Sequence, residues 1–215
     1  MNRKGKLMST KIILQRHAQS FGNRDKIYIG QTDLGLTPEG YMQADVAAEY
    51  MKDEKIDAIY SSDLSRAYDT ALPHAKMRGL EVEKRRNMRE IFVGDWETCD
   101  VNELKKLEIF TVNRFYADFV YPGGEANREC AERIKDELER IAIENPDRTV
   151  LVVTHGAALR NFWHFINGSK SKVVTDDAPL VKNTAFCFLT YENGKFVTGD
   201  YNVCDFLPST KVEPV

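Results

Sequence analysis

The stretch KIILQRH, residues 11–17, starts as a short apolar run and stops at an arginine and a histidine. A second run of the same kind, VLVVTHG at 150–156, also leads into a histidine. Short, continuous apolar runs rich in β-branched residues are typical of strands covered on both faces, as in a parallel sheet. Both runs are therefore predicted to be central strands whose ends carry polar side chains.

Further elements follow from apolar spacing, caps and turn residues along the chain. Additional strands are predicted at 57–61 and 80–84, and a late hairpin at 185–191 and 195–201. Helices are predicted to open at Thr37-Pro38, to start near Asp63 and bend or end at Pro73, to span 130–141, and to run over 157–166. Strands that alternate with helices predict an α/β three-layer sandwich, with a mostly parallel central sheet flanked by helices.

The size and charge of the chain restrict its class. With 215 residues, it suits one domain at 11–215 after a flexible N-terminal tail at 1–10. The net charge of -3 argues against a nucleic-acid partner, and no apolar run approaches the ~20 residues of a membrane span. The four cysteines are scattered, which is typical of reduced, structural thiols. We therefore expect a cytoplasmic protein.

Polar side chains follow several of the predicted strands, at the point where each strand ends. Arg16 and His17 follow the first apolar run, and His155 follows the run at 150–153. Arg66 comes shortly after the strand at 57–61, and Glu90 comes after the strand at 80–84. Because ligands of open α/β sheets bind beyond the carboxyl ends of the strands, we expect these five side chains to meet at one rim.

This combination of side chains suits phosphate chemistry. Two guanidinium groups can hold the oxygens of a phosphate dianion through paired, charge-assisted hydrogen bonds. A histidine among them can attack phosphorus, and a second histidine can donate to the same oxygens. A carboxyl group can protonate the departing oxygen and then take a proton from water. Since the arginines supply positive charge, the site is expected to need no metal.

At these positions the sequence resembles a known family. The motifs, in chain order, are QRHAQS followed by Asn23, LTPEG at 36–40, SSDLSRAYDTA at 61–71, REIFVGDWE at 89–97, PGGE at 122–125 and VVTHG at 152–156. They are similar to those of the histidine phosphatase superfamily, in the branch that contains phosphoglycerate mutases and related phosphatases. The resemblance implies a phosphoglycerate mutase-like fold, which agrees with the α/β sandwich expected from the strands and helices.

The resemblance also implies a role for each candidate residue. His17 is expected to be the nucleophile that becomes phosphorylated, and Glu90 the proton donor and acceptor. The phosphate pocket is expected to be formed by Arg16, Asn23, Arg66 and His155. No metal and no cofactor is implied, and the expected partner is a small-molecule phosphomonoester.

Some of these positions also have alternative interpretations. Asn23 could cap a helix, and Glu97 lies close enough to Glu90 in the sequence to compete with it for proton transfer. Ala18 stands where the family most often has glycine, and we expect its φ to be negative. The segment 91–124 could form a cap that favours an apolar or aromatic leaving group, or it could contain a helical hairpin that packs on the sheet.

The sequence thus predicts a metal-independent phosphomonoester hydrolase that acts through a phosphohistidine on a small phosphorylated metabolite. A phosphoglycerate mutase-type phosphotransferase is the first alternative, although 96–123 has no Arg-Arg-rich stretch and the C-terminal tail is short. A phosphate-binding regulatory module without catalysis is the second alternative.

Overall fold

A six-stranded sheet forms the middle layer of the fold in the computed structural model, which describes residues 9–168 and 179–207. The strands are β1 (Ser9–Arg16), β2 (Ile27–Tyr28), β3 (Ala58–Ser61), β4 (Val82–Lys84), β5 (Cys99–Asp100), β6 (Thr149–Thr154), β7 (Phe186–Glu192) and β8 (Lys195–Thr198). The sheet has the order β4-β3-β6-β1-β7-β8, and β2 pairs separately with β5. Its first four strands are parallel, whereas β7 runs antiparallel to β1 and β8 runs antiparallel to β7. The expected mostly parallel sheet is confirmed.

Helices cover both faces of this sheet. They are α1 (Phe21–Asp25), α2 (Pro38–Tyr50), α3 (Ser65–Arg78), α4 (Val101–Leu104), α5 (Glu108–Thr111), α6 (Asn127–Glu144) and α7 (Gly156–Ile166). Ile13 and Leu151 belong to the core cluster of α2 and α3, whereas Ile12 and Val150 belong to that of α6 and α7. Successive strand residues point to opposite faces, so two apolar faces explain the continuous apolar runs. In the described part of the chain, no helix is long and apolar enough to cross a membrane.

Helix α3 does not end at Pro73, which was one of the two outcomes expected from the sequence. The proline lies inside the helix, which continues to Arg78 and ends at Gly79 with a φ of 63°. A proline removes one main-chain donor and usually kinks or breaks a helix. Here Ala71 and Ala75, on either side of it, are buried in the core cluster shared with α2. The packing on both sides of the proline therefore keeps α3 continuous.

Strand β1 starts earlier than the boundary expected for the N-terminal tail. Ser9 and Thr10 already pair with β7, and the Thr10 hydroxyl donates to the carbonyl oxygens of Ala142 and Asn145. The part of the predicted tail before Ser9 lies outside the described residues. The polar composition of this stretch suggested a loop, but buried hydrogen-bond partners from distant elements make its last two residues part of the sheet.

The segment 91–124 contains no helical hairpin, contrary to one of the two expectations for it. It consists of short pieces: α4, α5, β5 and 3-10 turns at Gly94–Trp96 and Asn113–Phe115. Its aromatic side chains pack around Trp96, whose ring centre lies 5.4 Å from those of both Phe110 and Tyr121. These contacts hold the segment together through side-chain packing, without a long helix of its own.

The sheet register brings the two histidine motifs together. β1 and β6 are adjacent and parallel, and Arg16 is in register with Thr154. His17 and His155 directly follow these two residues, so both leave the carboxyl ends of neighbouring strands at the same height. This is the point at which α/β sheets usually bind their ligands.

Candidate active site

A cavity of about 80 Å³ opens at the carboxyl ends of β1 and β6. Five of the six candidate residues from the sequence line it, namely Arg16, His17, Asn23, Arg66 and Glu90. The sixth, His155, is fully buried, and its ring centre lies 5.2 Å from that of His17. The structure therefore brings all six together at one end of the sheet.

The ring orientation of His17 is fixed by a hydrogen bond to the main-chain carbonyl of the next residue. Its main-chain nitrogen donates to Thr154, and Nδ1 lies 2.7 Å from the carbonyl oxygen of Ala18. A carbonyl oxygen can only accept, so Nδ1 carries the proton and Nε2 keeps its lone pair. Burial, together with the charges of Arg66 and Arg16, holds the pKa of His17 well below its ordinary value. His17 is therefore neutral at physiological pH and able to act as a nucleophile.

Ala18 adopts the backbone conformation expected from the sequence. It is absent from the non-glycine residues with positive φ, so glycine is not required there. Its main-chain nitrogen donates to the Thr70 hydroxyl at 3.0 Å, and the methyl group is buried beside Leu36 and Ala44. Alanine thus fits this turn while leaving its carbonyl oxygen for His17.

Arg16 and Arg66 each use part of the guanidinium group for anchoring. Arg16 donates through Nη1 to the Val181 carbonyl at 2.6 Å. Arg66 donates through Nη2 to Gly30 at 2.7 Å and through Nη1 to Thr32 at 3.0 Å. The Nε of each arginine is buried without a partner among the described residues. Burial lowers the pKa of each to about 10, so both remain charged at neutral pH.

His155 occupies the N-cap position of α7, and its ring packs against that of His17. Neither of its ring nitrogens has a hydrogen-bond partner within the described residues, although the ring is fully buried. Burial first, and then the charge of Arg66, holds the pKa of His155 well below its ordinary value. An unpartnered, neutral imidazole beside His17 can donate one hydrogen bond to a bound oxyanion.

Asn23 combines the two interpretations considered from the sequence. It is the third residue of α1, and its side-chain oxygen accepts from the Ser20 main-chain nitrogen in a reciprocal capping box. The same oxygen accepts from Asn183 at 3.1 Å. This leaves the side-chain nitrogen of Asn23 as a donor, and the residue lines the cavity. Asn23 is thus a structural residue of the cap that also presents a polar group to the site.

The two neighbouring glutamates occupy different places. Glu90 lines the cavity, and its carboxylate accepts from the main-chain nitrogens of Ala157 at 3.1 Å and Ala158 at 2.8 Å, in the first turn of α7. The N-terminal end of a helix favours a carboxylate at this position. Glu97 lies outside the cavity and bonds to loop 30–32. Of these two glutamates, Glu90 is therefore the one that faces the cavity.

Two further arginines in the cavity were missed from the sequence. Arg114 and Arg160 both line it and are buried. Arg114 stacks 3.9 Å from the ring centre of Phe110, and Arg160 donates twice to the side-chain oxygen of Asn161. Neither guanidinium has a carboxylate partner among the residues that the structure describes. The LR pair that follows HGAA in the sequence was the signal available for Arg160.

The charges at the cavity are strongly unbalanced. Among the residues that the structure describes, four arginines line it together with a single carboxylate, that of Glu90. Burying unpaired charge costs several kcal/mol per group, so such an excess favours a ligand of opposite charge. Within the described residues there is no cluster of three or more His, Cys, Asp or Glu side chains arranged for a metal ion. The site is therefore suited to an anion held by arginines.

Comparisons with known proteins agree with this geometry. A model of the histidine phosphatase superfamily (branch 1) matches residues 12–203. A metal-independent phosphoserine phosphatase of Arabidopsis thaliana is 36% identical over 168 residues, which cover 75% of this chain and 71% of that protein. Phosphoglycerate mutase-like protein 4 of the same plant is 33% identical over 169 residues, covering 75% and 73%.

Solved structures extend the similarity to the whole fold. A mycobacterial glucosyl-3-phosphoglycerate phosphatase in complex with VO3 has a TM-score of 0.82 and 25% identity, covering 90% of this chain and 99% of that chain. The matched region of the superfamily model includes every candidate site residue. On the sequence motifs, the arginine-rich cavity and these similarities together, the chain belongs to the histidine phosphatase superfamily.

Proposed function

We propose that this phosphatase hydrolyses the phosphomonoester of a small metabolite through a phosphohistidine at His17. The observation that carries the proposal is the bond from Nδ1 to the Ala18 carbonyl, because it leaves the lone pair of Nε2 free in a neutral ring. Around that ring are buried, unpartnered donors of Arg16, Arg66 and His155. They suit the non-bridging oxygens of a phosphoryl group.

In the first step, His17 Nε2 attacks phosphorus while the arginines and His155 bind the phosphate oxygens. The bond from phosphorus to the ester oxygen breaks, and that oxygen keeps the electron pair. Glu90 gives it a proton, so the leaving group departs as an alcohol. The main-chain bonds from Ala157 and Ala158 fix the carboxyl group in the cavity throughout this step.

In the second step, water attacks the phosphorus of the phosphohistidine. Glu90 takes a proton from that water, which restores the proton that it gave in the first step. The bond from phosphorus to Nε2 breaks, and inorganic phosphate and neutral His17 are regenerated. No step needs a metal ion, because the positive charge at the developing oxyanion comes from arginines of this chain.

The leaving group is proposed to carry a second acidic group, such as a carboxylate. If Arg16 and Arg66 bind the phosphate, Arg114 and Arg160 remain without an anionic partner in the described part of the chain. Within the described residues, Arg160 donates only to Asn161, and Arg114 donates only to the Tyr28 hydroxyl. The N–H groups that remain on this pair suit the two oxygens of a carboxylate. The charges thus favour an acidic leaving group over the apolar one considered from the sequence.

Two features bear on the alternatives and on location. Extra arginines also suit a phosphotransferase of the mutase type, so this activity remains the alternative function. The four cysteines, all within the described residues, are free thiols, which supports a reducing compartment such as the cytoplasm.

The experiment compares 3-phosphoglycerate with glycerol 3-phosphate, which differ in one carboxylate, by phosphate release in the presence of EDTA. We expect metal-independent release and a higher kcat/KM for 3-phosphoglycerate. Arg114→Gln should lower the ratio of the two kcat/KM values roughly tenfold or more, which is the loss of one hydrogen bond to a charged group. Arg128→Gln, which changes an exposed arginine paired with Asp118, is the matched control and should keep the ratio.

The outcomes separate the alternatives. No release from either ester, with the wild type behaving like His17→Ala, would refute a phosphatase. A kcat/KM that depends neither on the carboxylate of the ester nor on Arg114 would refute only the proposal of an acidic leaving group. Rapid interconversion of 2- and 3-phosphoglycerate, with little phosphate released, would favour the mutase.

A further inference from the structure

We propose that Glu97 is a positioning residue: it fixes loop 30–32 and thereby sets the direction in which the Arg66 guanidinium faces the phosphate. The proposal rests on the proposed function of Arg66 as a phosphate ligand. Glu97 is partly buried and does not line the cavity, so it acts through other groups and not on the substrate.

The orientation of Arg66 is set by two carbonyl oxygens of the loop. Nη2 donates to Gly30 at 2.7 Å and Nη1 donates to Thr32 at 3.0 Å. A guanidinium group is planar and rigid, so two contacts on different nitrogens define both its plane and the direction of the remaining donors. Among these is the buried, unpartnered Nε. A shift of either carbonyl would therefore change the direction of this donor.

Glu97 holds the same loop from the other side. Its Oε1 accepts from the main-chain nitrogen of Gln31 at 2.6 Å, and its Oε2 accepts from the Thr32 hydroxyl at 2.5 Å. Hydrogen bonds to a carboxylate are shorter and stronger than those between neutral groups. The two carboxylate oxygens thus hold Gln31, which lies between the two residues whose carbonyls bind Arg66, and Thr32, which supplies one of those carbonyls.

Gly30 shows how closely the loop approaches this carboxylate. A Cβ at that position would lie 2.6 Å from Oε1 of Glu97 and 2.7 Å from a methyl carbon of Val93. The φ of Gly30 is 47°, in the left-handed region that favours glycine. The loop backbone is therefore shaped for contact with Glu97 in both space and conformation.

The backbone that carries Glu97 is itself firmly placed. Its nitrogen donates to Gly94 at 3.0 Å, and the nitrogen of Thr98 donates to Tyr28 at 2.8 Å. Thr98 has a φ of 64°, an unusual conformation for a β-branched residue. Strain of this kind persists where the surrounding structure enforces it. Thr98 lies between Glu97 and Cys99, the residue at which the pairing of β5 with β2 begins.

A second anchor isolates the part of the loop that depends on Glu97. Asp33 accepts from the main-chain nitrogen of Ser65 at 2.8 Å and from its hydroxyl at 2.7 Å, which ties the end of the loop to the start of α3. Arg66 is the next residue of that helix. The loop and helix therefore stay together without Glu97, and the loss of Glu97 should change the local direction of the carbonyls more than the fold.

The test measures the inhibition constant of inorganic phosphate and the kcat and KM for p-nitrophenyl phosphate. Glu97→Gln and Thr32→Val each remove part of the contact, and each should raise the inhibition constant of phosphate roughly tenfold or more, since small misplacements in a site have effects of this size. Thr32→Ser, which keeps the hydroxyl, should recover most of the loss. Thr10→Val makes the same chemical change at a buried threonine remote from the cavity, and should lower stability without changing the inhibition constant.

A double-mutant cycle with Arg66→Met identifies the route. If Glu97 acts through Arg66, adding Glu97→Gln to Arg66→Met should change the inhibition constant less than about twofold. Equal effects in both backgrounds, or a Glu97→Gln variant within about twofold of the wild type, would overturn the proposal. A wild type that neither binds phosphate nor hydrolyses the ester would instead contradict the proposed function itself.

Discussion

Acidification is expected to destabilise this protein through His74, a residue remote from the candidate site. His74 lies in α3, is fully buried, and has Phe186 edge-on at 6.1 Å. Neither of its ring nitrogens has a partner among the described residues. Burial first, and then the charge of Arg78, lowers the pKa of His74 to about 3. The ring is therefore neutral in the folded protein at pH values well above 3.

The direction of the effect follows from this lowered pKa. In the unfolded chain His74 binds a proton below pH 6.5, whereas in the folded protein it does so only near pH 3. The contribution of neutral His74 to the free energy of unfolding is therefore fully present above pH 6.5 and decreases as the pH drops towards 3. At pH 5.0, about 1.5 units below the unfolded value, the loss is about 2 kcal/mol, at 1.36 kcal/mol for each unit.

Urea unfolding of the wild type and His74→Leu at pH 7.5 and pH 5.0 measures this loss. Leucine fits the apolar surroundings and removes the two unbonded nitrogens, so the variant should be at least as stable as the wild type at pH 7.5. The lowered pKa values of His17 and His155 also reduce the free energy of unfolding as the pH falls, but they do so in both proteins. The free energy of unfolding should thus fall by about 2 kcal/mol less in the variant. Equal losses in the two proteins would refute the reasoning.

Two further variants test other parts of the structure. Gly94→Ala should lower the free energy of unfolding by about 3 kcal/mol in urea, because φ is 56° and a Cβ would collide with the Pro122 carbonyl oxygen; a loss below about 1 kcal/mol would contradict this. Arg133→Met should lower kcat for p-nitrophenyl phosphate by about tenfold while the phosphate inhibition constant changes little, since Arg133 bonds to the carbonyls of Arg89 and Glu90. A kcat equal to that of the wild type would show that this support is dispensable.

The elements nearest the site were predictable because their signals are local. The runs before His17 and His155 are continuous and apolar, since both faces of β1 and β6 are covered, and this pattern alone predicts neighbouring central strands. Once the strands are parallel, the residues that follow them must meet at one edge. Thr37 and Pro38 likewise predicted the start of α2 from cap chemistry.

Other features depend on contacts between distant parts of the chain. Arg114 and Arg160 lie 46 positions apart in the sequence, and each alone looks like an ordinary helical charge; only the packing of 91–124 against α7 brings both to the cavity. Glu97 and loop 30–32 are likewise separated by some 65 positions, so no local pattern marks their contact. The expected end of α3 at Pro73 was wrong because the packing that keeps the helix continuous comes from another helix.

The central claim is a covalent phosphoryl group on His17, and rapid quenching at alkaline pH tests it most directly. Glu90→Gln is the best variant for the measurement: p-nitrophenolate leaves without protonation, whereas the water that breaks the intermediate loses its general base. The phosphoenzyme should therefore accumulate when this variant meets p-nitrophenyl phosphate. We expect an acid-labile, base-stable phosphate that peptide mapping assigns to His17 and that is lost in His17→Ala. A phosphate bound to a serine or an aspartate, or the same label in His17→Ala, would contradict it.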